Sequence, residues 1–240
     1  MNNKHSLFLK SLLVLLCTCF CSFSMAQLRE WTPAAVVDDT EIEKDGIDSY
    51  FVAQPISDAV FSRMQGKSYK EGCTVPRENL RYLHILHRNA EGQTQLGEIV
   101  CNASIADDLL AIFRQLYDEN YKIERVVLID EYDADDERSM TANNTSCFNF
   151  RPVSGSAKLS KHSQGLAIDI NPLYNPCLSL GTGKVEPSAG KKYAVERGKI
   201  TDTKVPLINK KDLCYRLFKS HGFSWGGNWM SKKDYQHFEK

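Results

Sequence analysis

Apolar and polar positions change period several times along this chain, and each change predicts an element. Residues 80–87, Leu-Arg-Tyr-Leu-His-Ile-Leu-His, alternate imperfectly, as a half-buried strand does, and Ala90-Glu-Gly-Gln follows as a turn. A second strand is expected over 96–101. From Ile105 the period lengthens: Ile105, Leu109, Ile112, Phe113 and Leu116 recur every three to four positions and predict a helix over 105–119 with one apolar face. Asp107 and Asp108 fall in its first turn, where the helix dipole favours acids. Residues 123–129 are β-branched and compact and read as a third strand, bounded by the turn-forming run 130–136. The stretch 139–160, rich in Asn, Ser, Thr and Gly, reads as a long loop, which in a compact domain often carries function. Alternation returns over 166–170, turning Ala167 and Asp169 to one face and Leu166, Ile168 and Ile170 to the other. Residues 172–204, rich in Gly, Pro and Lys, read as a surface insertion. Residues 210–221 read as a short helix with Leu213, Leu217 and Phe218 inward, stopped by Gly222.

Strands and helices mix here without regular βαβ repeats, so the expected class is α+β: a small antiparallel sheet with flanking helices. Residues 61–69 suggest a short helix or turn closed by Gly66, inside a main domain over 59–240. Residues 27–58 lack a sustained period and are expected to be an extension that packs on or leads into that domain. The first 26 residues combine Lys4 and Lys10, an uncharged apolar run and Ser24-Met25-Ala26, which reads as a secretory signal cleaved before Gln27. That run is too short for a comfortable membrane span, and no later stretch reaches the ~20 apolar residues a span needs. The mature chain is therefore expected to be exported, periplasmic or extracellular. About 214 residues remain after cleavage, enough for one domain acting as a monomer.

Charge and cysteine content narrow the chemistry. Thirty basic residues balance thirty acidic ones, and no basic run stands out, which excludes nucleic acid as the expected partner. Beyond the signal lie Cys73, Cys101, Cys147, Cys177 and Cys214, an odd number, so at most two disulfides form and one thiol is left over. None of them forms a CxxC, which argues against a cysteine-rich zinc site.

The segment Ser160-Lys-His162-Ser-Gln-Gly165-Leu-Ala167-Ile-Asp169 carries the chemistry. A hydrolytic zinc ion takes three protein ligands and keeps one position open for water. His162 at a loop end and Asp169 on the adjoining strand can supply two, because Gly165 lets the chain turn between them. Ala167 shares the Asp169 face and is small enough not to crowd a metal. His237 is the best candidate for the third ligand, and Asp234, three residues earlier, can act as general base beside it. Arg151 lies just upstream of the ligand segment and is assigned to the oxyanion. Ser160 is expected to orient a ligand. His84, His87 and His221 show no ligand spacing, and Trp225 and Trp229 suit either core or substrate wall.

The pattern Ser-x-His-x-x-Gly-x-Ala-x-Asp, joined to Trp225-Gly-Gly-x-Trp229 and an acid-x-x-His, resembles the zinc D-alanyl-D-alanine carboxypeptidase and L-alanyl-D-glutamate peptidase family from about Val126 to the C-terminus. The resemblance implies the small α+β fold shared with the hedgehog signalling domain, one zinc ion, and a peptidoglycan stem peptide as substrate. Asp at the base position and the Trp-Gly-Gly-x-Trp ending look more like the L-alanyl-D-glutamate endopeptidases. The family's Ser-Gly-Tyr-Arg-Ser is missing: this chain reads Ile129-Asp-Glu-Tyr132-Asp133-Ala, so Arg151 or Arg138 must replace the family's arginine. A D-alanyl-D-alanine carboxypeptidase and a non-catalytic zinc module that grips wall peptides stay open as alternatives.

Overall fold

A computed structural model describes residues 31–202 and 204–240. The expected signal segment lies outside the described residues; among the described residues no helix is long and apolar enough to cross a membrane. In chain order the elements are α1 (Asp39–Asp45), β1 (Val52–Pro55), α2 (Asp58–Met64), β2 (Leu80–Arg88), β3 (Thr94–Asn102), α3 (Ala106–Asp118) and α4 (Asp136–Thr141). There follow β4 (Ala167–Asp169), β5 (Cys177–Ser179), β6 (Val185–Glu186), α5 (Lys191–Val195), α6 (Leu213–Ser220), β7 (Ser224–Trp225), β8 (Lys232–Asp234) and β9 (His237–Glu239). The strands form three small antiparallel sheets, ordered β1-β2-β3, β4-β9-β7 and β6-β5-β8, in keeping with the α+β class.

β2 and β3 pair from Leu80↔Asn102 to Arg88↔Thr94. Their alternation is imperfect in sequence because both faces are covered. Leu83, Ile85, Ile99 and Cys101 pack against Leu109, Ile112, Phe113 and Leu116 of α3, while Leu80, Tyr82 and Val100 meet Val60, Met64 and Phe148 on the other side. Each such side chain, fully buried, contributes about 1.5–3 kcal/mol. The α3 cluster continues through Cys214, Leu217 and Phe218 of α6 into Ile168, Trp225 and Phe238 of the second sheet, so the large sheet and the site sheet share one core. Residues 31–58, expected as an extension, supply α1 and β1, and β1 pairs with β2 from Val52↔His84 to Pro55↔Arg81.

Three expectations are corrected. Among the described residues, 123–129 form no strand: their one isolated bridge pairs Arg125 with Asn144 and Ile129 opens a 3-10 turn, because side chains take the places of a neighbouring strand. Asn144 grips Val127 through Oδ1 (2.9 Å) and Nδ2 (3.0 Å), and Asn171 Oδ1 and Glu98 Oε1 accept from the amides of Glu124 and Leu128. The stretch 172–204 is no simple insertion: β5, with Cys177 buried, is the middle strand of the third sheet and pairs with β8. Among the described residues all five cysteines are free thiols, four of them buried. Cys101, Cys147 and Cys214 lie in the main cluster, where a thiol acts as a small apolar side chain.

Candidate active site

The ligand segment folds as its sequence implies. Ser160 Oγ accepts from the His162 amide (3.2 Å) and starts a 3-10 turn over Lys161–Gln164. Gly165 closes the turn at φ +67°, where a Cβ would lie 2.6 Å from the Asn102 backbone nitrogen, so the position demands glycine twice over. The chain then reverses into β4. β9 lies between β4 and β7, and its register sets Asp169 directly opposite His237, which is how residues far apart in sequence come to face one another.

His162, Asp169 and His237 converge. His162 Nε2 stands 3.2 Å from Asp169 Oδ2 and 3.3 Å from His237 Nδ1, and His237 Nδ1 stands 3.0 Å from Asp169 Oδ1. All three are buried. A tetrahedron of donors about 2.1 Å from zinc has edges of about 3.4 Å, close to this triangle. The orientation of His162 agrees, because its Nδ1–H donates to the Cys147 carbonyl and leaves the Nε2 lone pair facing the cluster. Two imidazole nitrogens and a carboxylate gathered in one place suit a cation, and these residues fit the zinc ion expected from the sequence. Without a metal it is His237 that holds a proton. Burial disfavours charge on Asp169, but the attraction of His162 and hydrogen bonds from both histidines outweigh it and hold the carboxyl well below the usual range. Burial likewise opposes charge on His237, yet its hydrogen bonds to Asp169 and Glu239 push its pKa well up.

Asp234 reaches the same place from β8, which pairs Asp234 with Cys177 of β5. Its Oδ1 is buried and has no hydrogen-bond partner among the described residues, while Oδ2 lies 3.4 Å from Lys232 Nζ. Gly226 explains the closeness of Asp234 and His237: a Cβ there would meet Asp234 Cβ at 2.8 Å and His237 Cβ at 3.2 Å. The tryptophans divide the roles left open. Trp225 is buried and donates to the Tyr235 carbonyl, whereas Trp229 lines the cavity with its ring 5.1 Å from that of His237.

A cavity of about 1080 Å³ takes in His162, Asp169, His237, Asp234 and Arg151, along with Trp229. Arg151 is held by an ion pair with Asp136 and by Ser163, whose Oγ bonds both its amide and its carbonyl. Arg138, the other arginine considered, pairs instead with Asp133 and does not line the cavity. His84 stacks on Trp31, His87 is buried against the Ile123 carbonyl and His221 binds Asp108, all outside the cavity.

Residues 154–240 match the family model described as D-alanyl-D-alanine carboxypeptidase. No curated protein and no solved structure matches the chain. The resemblance carried by the two motifs is thus borne out over a segment shorter than the motifs suggested. The matched segment contains His162, Asp169, Asp234 and His237, while Arg151 and Cys147 precede it. Sequence reading missed Glu239, which accepts from His237 Nε2 at 3.1 Å. Strand alternation puts residues two apart on one face, and that signal was present in His237-Phe-Glu239.

Proposed function

We propose that the protein is an exported zinc peptidase that hydrolyses peptide bonds in the stem peptides of peptidoglycan, most like an L-alanyl-D-glutamate endopeptidase, on a hedgehog-like fold. The observation that carries this reading is the meeting of His162, Asp169 and His237 with the unpartnered Oδ1 of Asp234 in one cavity, inside the segment matched to the carboxypeptidase family. His162, Asp169 and His237 would hold the zinc ion, which would supply Lewis acidity toward the scissile carbonyl and an attacking water. Asp234 takes the proton of that water and passes it to the leaving amine. Arg151, fixed by Asp136, places its guanidinium on the cavity wall, where positive charge can offset the charge that develops on the carbonyl oxygen. His162 and Asp169 enter the reaction already oriented, through the Cys147 carbonyl and the β4–β9 register.

The description of the matched family favours a second reading, removal of the terminal D-alanine. Mass spectrometry of defined muropeptides incubated with the zinc-loaded protein, with His162→Ala as control, separates them. A cut after the first L-alanine supports the endopeptidase, loss of one alanine supports the carboxypeptidase, and binding without any product supports a wall-binding module and overturns the peptidase.

A further inference from the structure

Lys232 looks in sequence like one of two solvated lysines beside Asp234. Strand alternation separates them: Lys232 shares the Asp234 face of β8, while Lys233 turns away and donates to the Trp229 carbonyl at 2.7 Å. Lys232 Nζ lies 4.7 Å over the Trp229 ring and 3.4 Å from Asp234 Oδ2, half-buried on the wall of the cavity. A cation over an indole face is held there by the ring's quadrupole, more firmly where water is scarce. The ammonium thus has a fixed seat and one carboxylate oxygen within reach.

The other oxygen, Asp234 Oδ1, is buried with no partner. An acceptor left so is costly unless a ligand completes it. The Cys177 thiol on β5, the strand paired with β8, also lies beside Asp234; burial first, and then the charge of Asp234, push its pKa up and keep it neutral.

We propose that Lys232, seated on Trp229, is the positioning residue of Asp234: it holds Oδ2 and so leaves Oδ1 aimed at the attacking water. This rests on the reading of Asp234 as general base. It divides the carboxylate into an anchored oxygen and a working one, and it gives Trp229 a role in seating the base through Lys232 as well as forming wall beside His237.

The test compares wild type, Lys232→Met and Lys232→Arg on a muropeptide that the wild type cleaves, reading kcat and KM separately and zinc affinity by chelator competition. A positioned general base contributes about 10²–10⁴-fold. Losing its anchor is expected to remove about ten- to a hundredfold of kcat in Lys232→Met, with KM and zinc affinity unchanged, and Lys232→Arg is expected to recover most of it. Unchanged zinc affinity also certifies that the variant folds. An unaltered kcat in Lys232→Met overturns the inference, as does a loss confined to KM, which would make Lys232 a binding group for substrate charge. A parallel fall in zinc affinity overturns it too, since Lys232 would then be supporting the ligand cluster. Absence of product from the wild type overturns the peptidase reading itself and this inference with it, so the two failures are told apart.

Discussion

Replacing Gly165 by alanine tests the turn that joins the first two ligands, and a second glycine supplies the control. Gly165 sits at φ +67° and Gly66 at φ +75°, so alanine at either pays a left-handed penalty of about 1–2 kcal/mol. They differ in what the new methyl meets. Around Gly66 nothing lies within 4 Å, whereas at Gly165 a Cβ would stand 2.6 Å from Asn102 N and 3.1 Å from the Cys101 carbonyl carbon, both backbone atoms of β3 that no side-chain rotation can move. Overpacking of this kind adds about 1–3 kcal/mol. Gly165→Ala is therefore expected to cost about 2–5 kcal/mol and Gly66→Ala about 1–2 kcal/mol. At about 2–4 °C per kcal/mol for a domain of this size, the melting temperature should fall by about 4–20 °C in the first and about 2–8 °C in the second. Relief of the clash must move the turn, because the Gly165 amide bonds the His162 carbonyl and its own carbonyl accepts from Asn102 N. Zinc affinity should accordingly drop in Gly165→Ala alone. Thermal unfolding by circular dichroism, run on metal-free and zinc-loaded protein, reads both effects. Equal destabilisation of the two variants with equal zinc affinity would refute the argument that the β3 backbone holds the ligand turn.

Glu239→Ala removes the acceptor that orients His237 and is expected to weaken zinc about 10–100-fold by chelator competition; unchanged affinity would show that β9 alone fixes the imidazole. Gly226→Ala should lower kcat and zinc affinity together, because its methyl must push Asp234 and His237 apart, and retention of both would contradict that packing. Zinc affinity should rise with pH, by about tenfold per unit where one proton is displaced, because the raised pKa of His237 means that the metal must expel a proton; a flat profile across about pH 6–8 would count against it. The metal-free protein should show the opposite trend at this residue. A folded pKa raised above the unfolded value of about 6.5 gives stability that is complete below that pH and is lost as pH climbs through the folded value, which denaturant titrations with a chelator present can follow.

Much of the site was legible in the chain because its parts are local. The spacing from His162 to Asp169 with Gly165 between them encodes turn, glycine and strand in eight residues, and Asp234 and His237 lie on consecutive short strands. Periodicity likewise located β2, β3, α3 and α6, whose apolar faces repeat on a scale that a short window captures. The stretch 123–129 misled because β-branched residues favour extended backbone whether or not a strand lies alongside, and Asn144, Asn171 and Glu98 took that strand's place. The stretch 172–204 misled because β5 is only three residues long, too short to show a period, though it is the strand that seats Asp234.

By itself the sequence determined which side chains can hold a metal and move a proton, where the chain must turn, and which faces must be buried. Tertiary structure decided what no spacing encodes: the register that sets Asp169 opposite His237, the Cys147 carbonyl that orients His162, and the pairing of Arg151 with Asp136 and of Lys232 with Asp234. The physical reason is that these are contacts between elements distant along the chain. Each depends on how one shared core docks the site sheet against the large one, and that docking is a sum over many side chains rather than a property of any motif.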